Sequence, residues 1–446
     1  MISEKTDSFI TKKMLDCIGS NHSPGLRIGS ILAEDLASKF GTPIYAYNAE
    51  AARNNLSEVR SALGSNIEIL YALKANPNAG IAQIFRKSGT GCEVASAGEI
   101  LVAKFAGFTG DQIQFSGPGK SEQDILTSFH HGVSILNLES EEEYDLVKFL
   151  SKLQNYKPRV SIRLNPATGL SGSRMHMGGG SKKFGVDSER VPELMEQIVS
   201  EGICDFSGLH VYPGTQCFDY KPWLENANAL LKLASELESI APIRSLNFGG
   251  GFGVSLFEGD PELDLISLGK GLREMIESAR NRNRKYFVEL GRYLIANAGV
   301  YLTKILYTKK SQEKIHIITD GGMHHHAVGV GLGSVIKRTY PIVSCNGLER
   351  NPTRKVAIGG PLCTPADEFA SSIDFPETKN GELIGILGSG AYGLTFSNIL
   401  FLSHPTPGEV LVDGDNAYWI RKPGKVEDVL VGQCVPGREG GYSDVE

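Results

Sequence analysis

Eight short apolar runs, separated mostly by helical patterns between residues 67 and 290, constrain this chain more than any other feature. They are IEILYALK (67–74), GCEVAS (91–96), IQFSG (113–117), VSILNLE (133–139), RVSIRLN (159–165), FSGLHVY (206–212), SLNFGG (245–250) and YFVEL (286–290). The first helix, AEAARNNLSEVRSAL, places Ala52, Leu56, Val59 and Leu63 on one face, with Asn48 as its N-cap. AGEILVAKFAG and NALLKLASELES continue the alternation. Eight strands alternating with helices over such a length predict an α/β fold, a (β/α)8 TIM-type barrel. Beyond residue 300 strands follow one another without long helices: VYLTKILYTK, KIHIITDGGM, KVAIGGPLC, ELIGILGSGAYG and GEVLVDGDNAYWI. TPIYAYN (42–48) has the same character. The expected division is therefore a barrel over 48–300 and a separate mainly-β domain over 301–446, to which segment 1–47 contributes.

In a barrel the chemistry gathers at the C-terminal strand ends. Those ends carry Lys74, Glu93, Ser96, GPGK (117–120), Arg163, His210, the triple glycine 249–251, Glu289 and Arg292. Lys74 closes a strand of alternating pattern, and Asn76 with Pro77 stops that strand, because proline lacks the ladder N–H. A lysine at a strand end ordinarily extends into water. Glycine, with 52 residues, clusters beside apolar runs rather than in linkers, which marks turns or close backbone approach to a ligand.

Composition excludes several classes. At 446 residues two domains are the natural expectation, and 22% charged residues with a net charge of −6 give no nucleic-acid footprint. The seven cysteines, at 17, 92, 204, 217, 345, 363 and 434, form no CxxC pair, so reduced thiols in a cytoplasmic protein are expected. No apolar stretch approaches a membrane span, and the N-terminus has no secretory h-region. GGMHHH (321–326) invites a metal reading. Adjacent residues of a strand point to opposite faces, and no Cys or carboxylate stands at ligand spacing, so no metal is expected.

YALKANPN, GCEVASAGEI, FSGPGK, GLHVYPGTQ, NFGGGFG, ELGR, GPLCTPAD and GSGAYG, in this order over residues 40 to 410, resemble the successive motifs of the fold-type III pyridoxal-phosphate enzymes. That is the diaminopimelate and ornithine decarboxylase group, with its alanine racemase-like pairing of barrel and β-domain. The resemblance implies pyridoxal 5′-phosphate as cofactor and a homodimer with shared active sites. It implies that Lys74 forms the Schiff base, partial desolvation freeing its amine. Gly249, Gly250 and Gly251 would bring backbone N–H groups to the phosphate, helped by Thr215 and Tyr392. Glu289 would face the pyridine nitrogen and favour decarboxylation, with Arg292 beside it in ELGR, and His210 would stack on the ring. Cys363 would reach the partner subunit's site and return a proton after CO₂ leaves. Arg163, Thr364 and Asp367 would meet substrate.

In the diaminopimelate and ornithine branches an acidic residue follows that cysteine and meets the distal ammonium; here the place holds Thr364, with Asp367 three residues on. GGMHHH, GPLCTPAD and AYGLTFSNILFLSHPTP resemble most closely the branch that decarboxylates amino acids on a carrier protein, as in butirosin assembly. The expected activity is thus decarboxylation of an amino acid or its conjugate, carrier-bound or distally acylated. A diamino-acid decarboxylase is the first alternative. A non-catalytic, cofactor-binding regulator is the second, against which Lys74, Glu289 and Cys363 together argue.

Overall fold

A computed structural model describes residues 9–20, 23–165, 175–176, 183–279, 283–333 and 337–436. The expected domain boundaries include residues 1–8 and 437–446, which lie outside the described residues. The chain divides into two compact units, one of Ala52–Ser255 with Asp260–Ile295, the other of Met1–Ala51, Leu256–Gly259 and Ala296–Glu446.

The first unit is the closed parallel barrel. Its strands are β1 (Ile67–Ala72), β2 (Gly91–Val94), β3 (Ile113–Phe115), β4 (Ile135–Leu138), β5 (Arg159–Asn165), β6 (Asp205–Val211), β7 (Ser245–Gly250) and β8 (Lys285–Leu290). Each pairs in parallel with the next, and β8 closes on β1 through Val288 and Ile69. Strands covered on both faces need apolar residues on both, and β4 and β7 are buried throughout.

Short polar residues start the helices that follow. Asn78, Ser96, Ser121, Ser140, Asp219 and Asp264 each accept a backbone N–H in the first turn of the next helix. Asn48 does the same for Glu50 at 2.9 Å.

In the second unit the strand Ile44–Asn48 is central. It pairs antiparallel with β9 (Gly299–Ser311) and in parallel with Gly408–Asp413. The sheet continues from β9 through β10 (Lys314–Thr319) and β11 (Arg354–Gly359) to β12 (Glu368–Phe375). GEVLVDGDNAYWI is two strands folded about Gly414, whose φ of 58° makes the turn.

The three histidines of GGMHHH do not lie on a strand. They occupy the turn after β10, and all three are buried. His325 Nε2 contacts the Pro405 carbonyl at 2.8 Å and His326 Nε2 the Ser389 hydroxyl at 2.9 Å, while the His324 and His325 rings lie 3.6 Å apart, centre to centre. Among the described residues no His, Cys, Asp and Glu form a metal-binding group. No helix among them is long and apolar enough to cross a membrane.

Candidate active site

The lysine strand ends earlier than its alternation suggests. β1 stops at Ala72, and Leu73–Ala75 form one 3₁₀ turn, pinned by the Tyr71 hydroxyl donating to the Asn76 carbonyl at 2.9 Å. That turn carries Lys74. Its ammonium meets the Glu93 carboxylate at the end of β2, Nζ to Oε2 2.9 Å, and lies 5.5 Å from the centre of the Tyr212 ring. The lysine side chain is 37% exposed and the Glu93 side chain 1%. Burial pushes the Glu93 carboxyl up, and the Lys74 charge opposes that shift. A half-exposed amine resting on a buried acid is held in place yet accessible, as a covalent-bonding amine must be.

Across the mouth, Glu289 on β8 is buried 3.3 Å from His210 Nε2 on β6. Burial works to raise its pKa, but His210, Lys74 and Arg163 outweigh burial and hold the carboxyl below its usual range. Glu289 therefore stays an anion. Asn247 on β7 donates to Glu289 Oε1 at 2.8 Å and to Gln114 Oε1 at 3.1 Å, while its own Oδ1 accepts the Gly249 N–H at 2.9 Å. One side chain thus links the acid to the glycine turn.

The triple glycine has a different immediate reason from the expected one. A Cβ on Gly249 would come 2.3 Å from the Val211 carbonyl oxygen, on Gly250 1.6 Å from that of Glu289, and on Gly251 1.8 Å from that of Gly214. Gly249 and Gly251 also have φ of 67° and 84°. Glycine is required here for neighbouring backbones to close together. Of the three amides expected at a phosphate, that of Gly249 is engaged by Asn247. Thr215, half-buried in the short strand Gly214–Thr215, lies against Gly251. Arg292, half-buried, opens the one-turn helix Arg292–Ile295 just after β8.

Arg163 is in the mouth but committed. Its Nη1 meets Glu139 Oε1 at 2.7 Å, both side chains buried, and Glu139 also accepts the Gly117 and Gly185 N–H groups. The expected substrate contact of Arg163 would have to use the guanidinium nitrogens that this pair leaves over. Lys120 of GPGK spends its three donors on the Gly117 and Asn137 carbonyls and on Glu143 Oε1, as a structural cation.

The other expected residues belong to the β unit. Cys363 is exposed and Thr364 half-buried, in the loop after β11. Asp367 is buried, and its two oxygens accept the Met323 N–H at 2.6 Å and the Leu362 N–H at 2.8 Å. Expected as a substrate contact, Asp367 instead ties two loops through their backbone. Tyr392 is half-buried with φ 55°, left-handed backbone that a tyrosine adopts only under constraint.

Sequence reasoning placed Glu93 at a strand end without a role, and passed over Asn247, Gln114, Tyr212 and Glu139. Gln114 and Asn247 lie inside runs whose alternation was read for burial alone. A buried amide in a strand was the available signal.

The donor set fits a pyridoxal group. It offers a primary amine, an acid kept ionised that can accept from a protonated ring nitrogen, and a buried imidazole beside it. Comparison with known proteins agrees. The family described as pyridoxal-dependent decarboxylase, pyridoxal binding domain, matches residues 50–296. An L-glutamyl-(BtrI acyl-carrier protein) decarboxylase of Niallia circulans is 36% identical over 89% of this chain and 95% of its own. A diaminopimelate decarboxylase of Zymomonas mobilis is 30% identical over 91% of this chain and 97% of its own. The structure of diaminopimelate decarboxylase from Helicobacter pylori complexed with L-lysine is 28% identical, with a TM-score of 0.81 over 89% of this chain and 98% of that one.

Proposed function

This chain belongs to the pyridoxal-dependent decarboxylases, carbon–carbon lyases that use pyridoxal 5′-phosphate, and from that premise we propose that it acts on an amino acid whose distal end carries no free ammonium. Carrier-protein-bound or distally acylated substrates satisfy that requirement. The observation that carries the proposal is the chemistry around Thr364. The position that would neutralise a distal ammonium holds a hydroxyl, the carboxylate three residues on is occupied by backbone amides, and Glu368 pairs with Lys314 at 3.8 Å. The likeness to a decarboxylase named for a carrier-bound glutamyl group supports the same reading.

When bound, pyridoxal 5′-phosphate supplies the electron sink that accepts the pair left at Cα as CO₂ departs. In our reading Lys74 would hold the cofactor through Nζ, and Glu93, 2.9 Å from that amine, would take up or return its proton. Glu289 would hold a proton at the ring nitrogen, His210 would cover the ring, and Gly250, Gly251, Thr215, Arg292 and Tyr392 would hold the phosphate end. Cys363 returns a proton to Cα. The enzyme works as a cytoplasmic homodimer in which Cys363 serves the partner subunit's site.

The test compares kcat/KM for ornithine, lysine or diaminopimelate with that for the distally acylated analogue. A buried ammonium without a partner costs on the order of 3–5 kcal/mol, so the acylated substrate should win by roughly 10²–10³. Thr364→Glu should shift the preference toward the diamine. A wild-type preference for the free diamine would overturn the proposal.

A further inference from the structure

Thr364 also lines a cleft of about 310 Å³ in the β unit, whose lining carries one lysine, Lys309, and two carboxylates, Asp367 and Glu368. Its floor is the sheet face where His316 of β10 is registered with Lys309 of β9 on one side and with Ala357 of β11 on the other. Ile318 and Gly359 make the next row. Ala357 and Gly359 are small, so the face is recessed along β11 and walled by the loop that carries Thr364. The walls hold two acids, and both are already engaged. Asp367 accepts the Met323 and Leu362 amides, and Glu368 Oε2 lies 3.8 Å from Lys314 Nζ. The exposed Lys309 forms no ion pair among the described residues, unlike Lys310 and Lys314 beside it, which face Glu313 and Glu368. What remains for a ligand is an ammonium, the Ser311 hydroxyl and an imidazole at the outer end, and the Thr364 hydroxyl at the inner end. With about 3.3 Å per strand residue, the rows from Lys309 to Gly359 span roughly 7 Å before the loop begins.

We infer that this cleft binds the phosphorylated pantetheine arm of a carrier protein, with the phosphate at Lys309, Ser311 and His316 and the arm's amides running toward Thr364. The inference rests on the proposal that the substrate is held by its distal end, and it adds where the tether lies. An anion that bridges an ammonium and a hydroxyl is a charge-assisted contact, and the polar, uncharged amides suit a floor of alanine and glycine with hydroxyls at either end. A free diamino acid uses none of these groups.

The experiment employs hydrolysis-resistant amides in which the distal carboxyl of glutamate is joined to amino-pantetheine, with and without its 4′-phosphate. The holoenzyme should turn over the phosphorylated form with a kcat/KM roughly tenfold to hundredfold higher, a ratio that shrinks as ionic strength rises. In Lys309→Gln, and more so in Lys309→Glu, the ratio should fall toward one. An equal rate for the two amides in the wild type, or an unchanged ratio in both variants, would overturn the inference while leaving the distal-acylation proposal standing. If neither amide reacts and a free diamine does, it is the proposed function that fails. Calorimetry of phosphopantetheine against pantetheine on the holoenzyme then reads the cleft directly, and equal affinities count against it. Loading the same amide onto a carrier protein separates a tethered arm from a free phosphorylated one, since only the former should gain further affinity.

Discussion

The barrel mouth and the β unit both bury polar side chains, but they satisfy them in opposite ways. In the mouth, charged groups meet one another: Lys74 with Glu93, His210 with Glu289, Arg163 with Glu139. In the β unit one buried acid, Glu409, pairs with Arg421 and accepts the Tyr47 hydroxyl, but the groups around the histidine turn are neutral or bound to backbone. Asp367 accepts two amides, Tyr45 donates to the His325 carbonyl, and burial pushes His324 and His326 down to about 3 and His325 down to about 4. A network of side-chain ions can change protonation or partner as a reaction proceeds, whereas a side chain bound to backbone fixes the shape of a loop. The first arrangement suits chemistry and the second suits positioning.

The largest break of this contrast is Lys74→Ala. It should reduce activity to background and remove the cofactor trapped by borohydride reduction, because the amine resting on Glu93 is gone. Trapping at a different lysine would refute the assignment. Cys363→Ala comes next. Its rate should fall by roughly 10²–10⁴, the usual worth of a positioned proton donor. Mixing Lys74→Ala and Cys363→Ala subunits should regenerate some complete sites if the thiol serves the partner. No recovery of activity on mixing would rule out shared sites.

What the sequence made legible follows the same division. Strand ends in a barrel have a known polarity, so the order of runs put Lys74, His210 and Glu289 among the residues at the mouth and the family resemblance singled them out; the structure brings them to one mouth. Their supporting partners were harder to read. Gln114 and Asn247 meet only because β3 and β7 face each other across the barrel, a contact 133 residues apart in sequence. In the β unit, β12 reads EFASSIDF, too polar to announce itself as a strand, and Ile342–Ser344 is too short to show a period. Asp367 looked like a substrate ligand because a carboxylate near a reactive cysteine invites that reading. Only the folded loops show its oxygens aimed at Met323 and Leu362.

Asp367→Asn sharpens this point. An amide has one acceptor oxygen, so at least one of the two N–H groups loses its partner, and a buried unsatisfied donor costs about 1–3 kcal/mol. The unfolding free energy in urea should fall by that amount. Relief of the buried charge acts in the other direction, since burial already raises the Asp367 carboxyl. An increase in stability at pH 7 would mean that relief dominates and that the loop does not depend on the carboxylate.

The smallest expected effect concerns His324, whose two ring nitrogens have no hydrogen-bond partner among the described residues and whose side chain is fully buried. Its folded pKa of about 3 lies below the ordinary 6.5, because burial and the neighbouring His325 and His404 disfavour the cation. Between those values the unfolded chain takes up a proton that the folded chain refuses. The stability from this group is therefore complete above pH 6.5 and is lost as pH falls toward 3, at up to about 1.4 kcal/mol per pH unit. His325 and His326 add slopes of the same sign. His324→Leu removes one of the three titrating rings and its unpaired donor, leaving an apolar side chain against the His325 and His404 rings. At pH 7 the variant should match the wild type within about 1 kcal/mol, and between pH 6 and 5 it should lose less stability per pH unit. Urea midpoints measured at pH 7, 6 and 5 decide the matter. Parallel pH dependences in the two proteins would show that His324 takes up no proton on unfolding, and the contrast between the neutral histidine turn of the β unit and an ionic barrel mouth would lose this support.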